Sequence, residues 1–186
     1  SVASIPESLM DSLNIHWVAY YIHRGREVLR DLVTIQRDEF YRWLPTAAEL
    51  PTTASPGPGD YLELYRRLSE EQGHEQIVSI HMTSRGSGAY QAAKAAQGMI
   101  NELLPKLRVE VIDTLNVSMC HGWMVIEAAR AALADQSLEE ILDLISLRVK
   151  MLILRCSVGF VASRAVDKNG NPAPFGQDGI PGSLQR

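Results

Sequence analysis

Two short β-branched runs, "QIVSIHM" at 76–82 and "LRVEVID" at 107–113, flank a helical stretch from about Ser87 to Leu104 that is rich in alanine. This pairing constrains the fold more than any other feature of the chain. Two strands joined through a helix of that length need a crossover, and a crossover favours parallel pairing of one hand. The neighbouring segments continue the alternation. "IHWVAYYI", Ile15 to Ile22, is aromatic, β-branched and apolar on both faces, which suits a strand covered on two sides. It is most simply core; the alternative is a wall of an apolar ligand cavity. "DYLELYRRLSEEQ" places Leu62, Tyr65 and Leu68 on one helical side. "SMCHGWMVIEAARAALADQ" reads as a further helix. Ser137 with Glu140 forms a capping box for "LEEILDLISLRVKML". The alternation predicts an α/β fold: a parallel sheet with helices on both faces.

Flanking segments give weaker signals. Pro6 suits a first helical position, with Ser4 as the cap of "PESLMDSLN". "RGRE" turns the chain, and "LVTIQRDEFYRWL" reads as a short strand leading to a helix, with Thr34 as its cap. "LPTTASPGPG", Leu50 to Gly59, holds three prolines and two glycines and reads as irregular. The organisation expected is an α/β domain over 1–150, then a divergent, irregular segment over 151–186, whose end from about Asn169 is turn-forming and too poor in apolar residues to bury much. The opening "SVASIPESL" has no Met, so a truncated start is expected.

Charge and cysteines exclude several classes. A formal charge of −4, with no basic stripe, argues against nucleic acid. Cys120 and Cys156, the only cysteines, make neither a metal quartet nor a disulfide framework, which suits a reducing cytoplasm.

Ligands of parallel α/β sheets bind beyond the C-terminal strand ends. Three polar loops belong there: Thr52 to Ser55, His81 to Gly88, and Asp113 to Ser118. "HMTSRGSG" ends a strand and opens a helix, where unpaired backbone amides favour an anion and glycines admit close approach. Ser84 and Ser87 are its hydroxyls, and either also serves as a plain helix cap. The loop is no nucleotide fingerprint, because it lacks a Walker lysine and the third glycine of G-x-G-x-x-G. Nor is Ser87 in a G-x-S-x-G elbow, since Arg85 and Ala89 flank it. A small hydrolase or phosphate-binding enzyme would use Ser84 or Ser87 with His81 or His121. Thr52, Thr53 and Ser55 form either a second wall of this site or a rigid surface loop. Asp113 most simply orders the loop that follows it.

Several motifs then align with one family. "PTTASPGPGDYLELY" resembles "PKTSQPSPGDFLELY" of the DegV family of bacterial fatty-acid-binding proteins. "IHMTSRGSGAYQAA" is similar to its "IHISSxLSGTYQSA", and "VEVIDTLNVSMCHGWMVIEAA" to its "VEVIDSxxxSxGxGxxVxEAA". "SVASIPESL" and "VTIQRDEFY" match two earlier segments, in order, and the resemblance runs from Ser1 to about residue 150. It implies an α/β protein of two domains, the second truncated or incomplete here. One long-chain fatty acid, such as palmitate, would lie in an apolar tunnel. The protein would be the lipid-carrying, non-catalytic partner of a fatty acid kinase, with transient contact with a membrane and no other cofactor or metal. Carried over by motif, Thr53 and Ser84 are the carboxylate contacts, supported by Ser87, Gly88, Gly86, Ser55 and local amides. Ala54, Ser55, Gly86, Ala89 and Cys120 depart from the family pattern. A truncated paralogue that binds nothing is the remaining alternative.

Overall fold

The structure is a computed structural model that describes residues 1–149. The segment expected to be irregular, 151–186, lies outside the described residues. The elements run α1 (Glu7–Ser12), β1 (Tyr21–Arg24), β2 (Glu27–Arg30), α2 (Arg37–Trp43), β3 (Thr52–Ala54), α3 (Pro58–Glu70), β4 (Gln76–His81), α4 (Ala89–Leu103), β5 (Arg108–Asp113) and α5 (Ser118–Leu133). Residues 138–149 form a further helix, α6.

The pairing read from the sequence is present. β4 and β5 run parallel, with Ile77 opposite Val109, Ser79 opposite Val111 and His81 opposite Asp113. Because side chains alternate along a strand, each face meets a different layer. Ile77, Val109 and Val111 pack with Tyr61, Tyr65, Ala89, Ala93, Ala96 and Ile100 of α3 and α4. Val78, Ile80 and Ile112 pack with Ala128, Ala131, Ile141 and Ile145 of α5 and α6. The alanines of α4 have a plain purpose, since small residues let that helix lie close on the strands. Of the α3 face, Tyr65 and Leu68 are buried as expected and Leu62 is half-buried, while Tyr61 is also buried. The capping box ahead of α6 is formed: Glu140 accepts from the Ser137 amide at 2.8 Å, and the Glu140 amide donates to Ser137 Oγ.

The first third of the chain differs from expectation. Only the last two residues of the aromatic run, Tyr21 and Ile22, are strand, and their β1 lies in a separate antiparallel ribbon of order β2-β1-β3. Residues 15–20 are not strand; Ser1 donates its nitrogen to the Val18 carbonyl, and the Tyr20 amide donates to Ser1 Oγ. "LPTTASPGPG" is not wholly irregular either, because Thr52–Ala54 completes the ribbon before Pro56 ends it. Its short length keeps every proline outside the ladder. α1 begins at Glu7, with Pro6 in the capping position rather than inside the helix. Ser4 does not cap it but meets Ser118 Oγ at 3.0 Å. Thr34 does not cap α2, because its hydroxyl accepts the Arg30 amide at 2.7 Å and Gln36 takes the cap position.

A third cluster joins the chain start to α5. Ile5, Met10 and Leu32 pack on Ile126. Gly122 makes that approach possible, for a Cβ there would run into the Ala3 carbonyl and lie 3.1 Å from Ile5 Cγ1. Among the described residues, no helix is long and apolar enough to cross a membrane.

Candidate functional site

The C-terminal ends of β4 and β5 form one polar edge. Thr114, fully buried, donates both its amide (3.0 Å) and its hydroxyl (2.8 Å) to the His81 carbonyl. The Thr83 amide donates to the Asn116 carbonyl at 2.9 Å. Asp113 accepts the Ser84 amide at 3.2 and 3.3 Å and the Leu115 amide at 2.9 Å. The loops at 81–88 and 113–118 are therefore knitted together, and Asp113 is the knot. The third loop reaches the same place. A Cβ on Gly88 would lie 3.3 Å from Ser55 Oγ, so the end of β3 sits against the start of α4. Thr53 is two residues earlier in an extended segment and shares the face of Ser55.

Within this edge the hydroxyls divide into two sets. Ser87 Oγ accepts the Ala89 amide at 3.2 Å and bonds the Tyr20 hydroxyl at 2.6 Å, but Gly88 holds the N-cap position of α4 and no side chain caps it. The hydroxyls of Ser84, Thr53 and Ser55 have no hydrogen-bond partner among the described residues, although all three are at least partly exposed. The amides divide likewise. That of Ser84 goes to Asp113, that of Arg85 to Thr83 Oγ1 and that of Gly86 to the Thr83 carbonyl. Those of Ser87 and Gly88 remain without a protein partner among the described residues. The local amides expected to serve a ligand thus narrow to these two.

Neither histidine pairs with a loop serine. His81 is 6 % exposed and its Nε2 lies 2.8 Å from Ser79 Oγ, which in turn accepts from the Tyr65 hydroxyl at 2.7 Å. His121, 4 % exposed, donates from Nε2 to the Ile80 carbonyl at 3.1 Å. The pairing of Ser84 or Ser87 with His81 or His121 that the hydrolase reading uses is not formed; His81 pairs with Ser79 instead. Burial, then the nearby His121, pulls the His81 imidazole down to about 4, with Asp113 opposing. Burial lowers His121 as well, against the Ile80 carbonyl. Burial raises the Tyr20 phenol, against the Ser87 bond, and pushes Tyr65 up to about 12. All four groups are uncharged near neutrality.

Beside this edge lies a cavity of about 670 Å³. It runs along β4, because Ile77, Ser79 and His81 of one face and Val78 and Ile80 of the other all line it. Trp17, Val18 and Tyr20 also line it, with Tyr61, Tyr65, Val125, Ala128 and Ile141, and polar Asn14, His16, His74, Gln76 and Gln136 share the wall. The aromatic run is thus largely cavity wall, the alternative the sequence left open. Tyr21 is elsewhere, donating to Asp60 Oδ1 at 2.8 Å. Thr53, Ser55, Ser84, Ser87, Gly86 and Gly88 do not line the cavity themselves. Tyr20 and Ala89 connect the two regions, since both line it and both bond Ser87. Sequence reasoning missed Ser79 and Thr114 as parts of this region, and the bond of Tyr20 to Ser87. Ser79, the polar centre of an apolar strand, was the available signal. No group of acidic, histidine and cysteine residues suited to a metal ion occurs among the described residues.

An α/β domain with an apolar cavity of ligand size, beside a polar edge of hydroxyls and helix-start amides, is the class of protein that fold and site define. The profile of the DegV family, described as uncharacterised proteins, matches residues 1–154, and the chain belongs to that family. A DegV domain-containing protein of Caldanaerobacter subterraneus is 33 % identical over 143 residues, which are 77 % of this chain and 49 % of that protein. A structure titled as fatty acid binding of a DegV family protein from Thermus thermophilus superposes with a TM-score of 0.69 at 28 % identity, over 81 % of this chain and 51 % of that one. A structure of DegV from Bacillus subtilis, titled a fatty acid binding protein, gives 0.73 at 26 %, over 81 % and 51 %. The chain spans about half the length of the relatives it matches.

Proposed function

We propose that this protein binds a long-chain fatty acid, such as palmitate, within residues 1–150. The observation that carries this reading is the 670 Å³ cavity, walled by Trp17, Tyr61 and aliphatic side chains and tied through Tyr20 to the loop at Ser87. Its volume falls within the ~300–1,000 Å³ of ordinary ligand pockets. The acyl chain lies there and supplies most of the affinity, at ~0.8 kcal/mol per buried CH₂ before ordering is subtracted. The carboxylate lies at the polar edge. Thr53 and Ser84 donate to it from hydroxyls that no described residue engages, with Ser55 and the amides of Ser87 and Gly88 beside them. Gly86 keeps the loop low. Hydrogen bonds to an ionised carboxylate are about twice as strong as neutral ones, so no buried cation is needed.

The family resemblance, and the fatty-acid-binding titles of the two relatives above, support the same ligand. The role assigned with it is that of a cytoplasmic carrier without catalysis of its own, which presents the acid to a fatty acid kinase and touches a membrane transiently to load. Native mass spectrometry of the purified chain tests the ligand: a retained acyl chain, or a rise in melting temperature with palmitate, is the expected result. Thr53→Ala and Ser84→Ala each weaken palmitate binding by about tenfold with little change in stability. If neither palmitate nor any retained lipid binds, the reading fails. If both variants melt the domain instead, the two hydroxyls are structural. Esterase or phosphatase turnover abolished by Ser84→Ala would replace this reading with an enzymatic one.

A further inference from the structure

The cavity meets β4 along its edge. Ile77 and Ser79 of one strand face line it, and so do Val78 and Ile80 of the other. A space that touches both faces of a strand lies beside the strand, not over it. No residue of β5 lines the cavity, so the edge concerned is the one that β4 turns away from β5.

The ladder fixes which backbone groups stand on that edge. In a parallel pair, successive residues direct their N–H and C=O to opposite sides. The Glu75 carbonyl accepts the Arg108 amide at 2.9 Å, and the His81 carbonyl accepts the Thr114 amide at 3.0 Å. Glu75, Ile77, Ser79 and His81 therefore turn toward β5, while Gln76, Val78 and Ile80 turn away. Among the described residues, β4 pairs with no strand but β5. One outward group is used, since the Ile80 carbonyl accepts His121 Nε2 at 3.1 Å. The amides of Gln76, Val78 and Ile80 and the carbonyls of Gln76 and Val78 have no hydrogen-bond partner among the described residues.

A second stretch bordering the cavity is in the same condition. Trp17 lines it, and neither its amide nor its carbonyl has a partner among the described residues. Pairing begins next to it, where Ser1, also in the wall, donates its nitrogen to the Val18 carbonyl at 2.9 Å. A hydrocarbon guest leaves these groups unpaired, which is unfavourable. A strand about 4.8 Å from β4 supplies donors and acceptors in the right alternation. Its flanks are apolar on both sides, with Tyr61 and Tyr65 in the layer over one face of β4 and Ala128 and Ile141 in the layer over the other.

We propose that the open edge of β4 takes an extended peptide segment as an added strand, with apolar side chains at successive positions. This inference goes beyond the fatty-acid reading and does not rest on it. The guest is recognised through its backbone, and its side chains need only be apolar and free of proline.

The test uses the full 186-residue chain and a fluorescent peptide matched to the six residues of β4, alternating valine and isoleucine between solubilising lysines. The peptide binds saturably. N-methylation of its alternate amides, in at least one of the two possible sets, weakens it by about tenfold or more. On binding, hydrogen exchange slows at the amides of Val78 and Ile80, and changes less at Ile77 and Ser79, which β5 already holds. Val78→Pro deletes one outward amide and spares the bonds to β5, a change that edge strands accept, and it weakens the peptide; should that variant not fold, the N-methylated peptides decide on the unaltered chain. The proposal is overturned if the peptide fails to bind, if neither N-methylated set is weaker, or if exchange at Val78 and Ile80 is unchanged. Palmitate binding without peptide binding overturns this inference alone, and peptide binding without palmitate binding overturns the fatty-acid reading alone.

Discussion

Acid should weaken this fold in part through His81, and that share can be sized. His81 is held neutral: its pKa falls from an ordinary 6.5 to about 4, chiefly because burial disfavours the charged ring, and secondarily because His121 is near. Among the groups around it, burial raises the Tyr61 and Tyr65 phenols, which stay uncharged at neutral pH, and Asp113 opposes the shift. A base with a depressed folded pKa takes up its proton more readily when unfolded, so stability rises with pH. Above pH 6.5 both states are neutral and His81 adds no pH dependence. Between 6.5 and 4 the unfolded chain is protonated and the folded one is not. At pH 5 the difference amounts to about 2 kcal/mol. For a chain of this size that is a fall in melting temperature of roughly 4–8 °C. Thermal melts of the wild type and His81→Gln, from pH 7.5 to 4.5, isolate the contribution. The glutamine variant has a lower melting temperature at neutral pH but a shallower decline, and the two curves converge toward pH 5. The depressed carboxyls of Glu139 and Glu140 titrate lower and are common to both proteins. Parallel curves would refute the reasoning, because they would mean that His81 is solvated enough to charge in the folded state.

Two further outcomes follow from packing and from the loop knot. Gly122→Ala brings a methyl into the Ala3 carbonyl, a backbone atom that cannot turn aside; destabilisation of about 1–3 kcal/mol is expected in urea melts, whereas Gly98→Ala, with open space at its Cβ, is neutral or stabilising. Asp113→Ala releases the Ser84 and Leu115 amides; hydrogen exchange at both speeds up, and about 1–2 kcal/mol of stability is lost.

Long-range pairing was legible where one pattern had one physical solution. β4, α4 and β5 form a strand, a helix and a strand of matched lengths, and only a crossover joins them. The Ser137 capping box was local chemistry and held for the same reason. The aromatic run was not decidable. Trp17, Val18 and Tyr20 are apolar whether they face a core or a void, and apolarity does not record which. Thr52–Ala54 became a strand because β1 offered it an edge, a partner that no local rule supplies. The loops at 81–88 and 113–118 were legible as loops, and Asp113 was legible as their organiser. That Ser87 is engaged by Tyr20 while Ser84 is not depends on a contact spanning 67 positions, beyond the reach of spacing arguments.

The pair of hydrogen bonds from Thr114 to the His81 carbonyl bears on how a guest would come and go. With that carbonyl gripped by both amide and hydroxyl, and Thr83 tied to Asn116, the strand-end loops move as one piece. Neither can swing out as a gate without breaking a buried contact. Residues 15–20, most of which also line the cavity, have no strand ladder to hold them. The exchange rate of a bound molecule would be governed by how often that aromatic segment peels away. A substitution there that left affinity untouched could still change residence time, and the Tyr20–Ser87 bond is its latch.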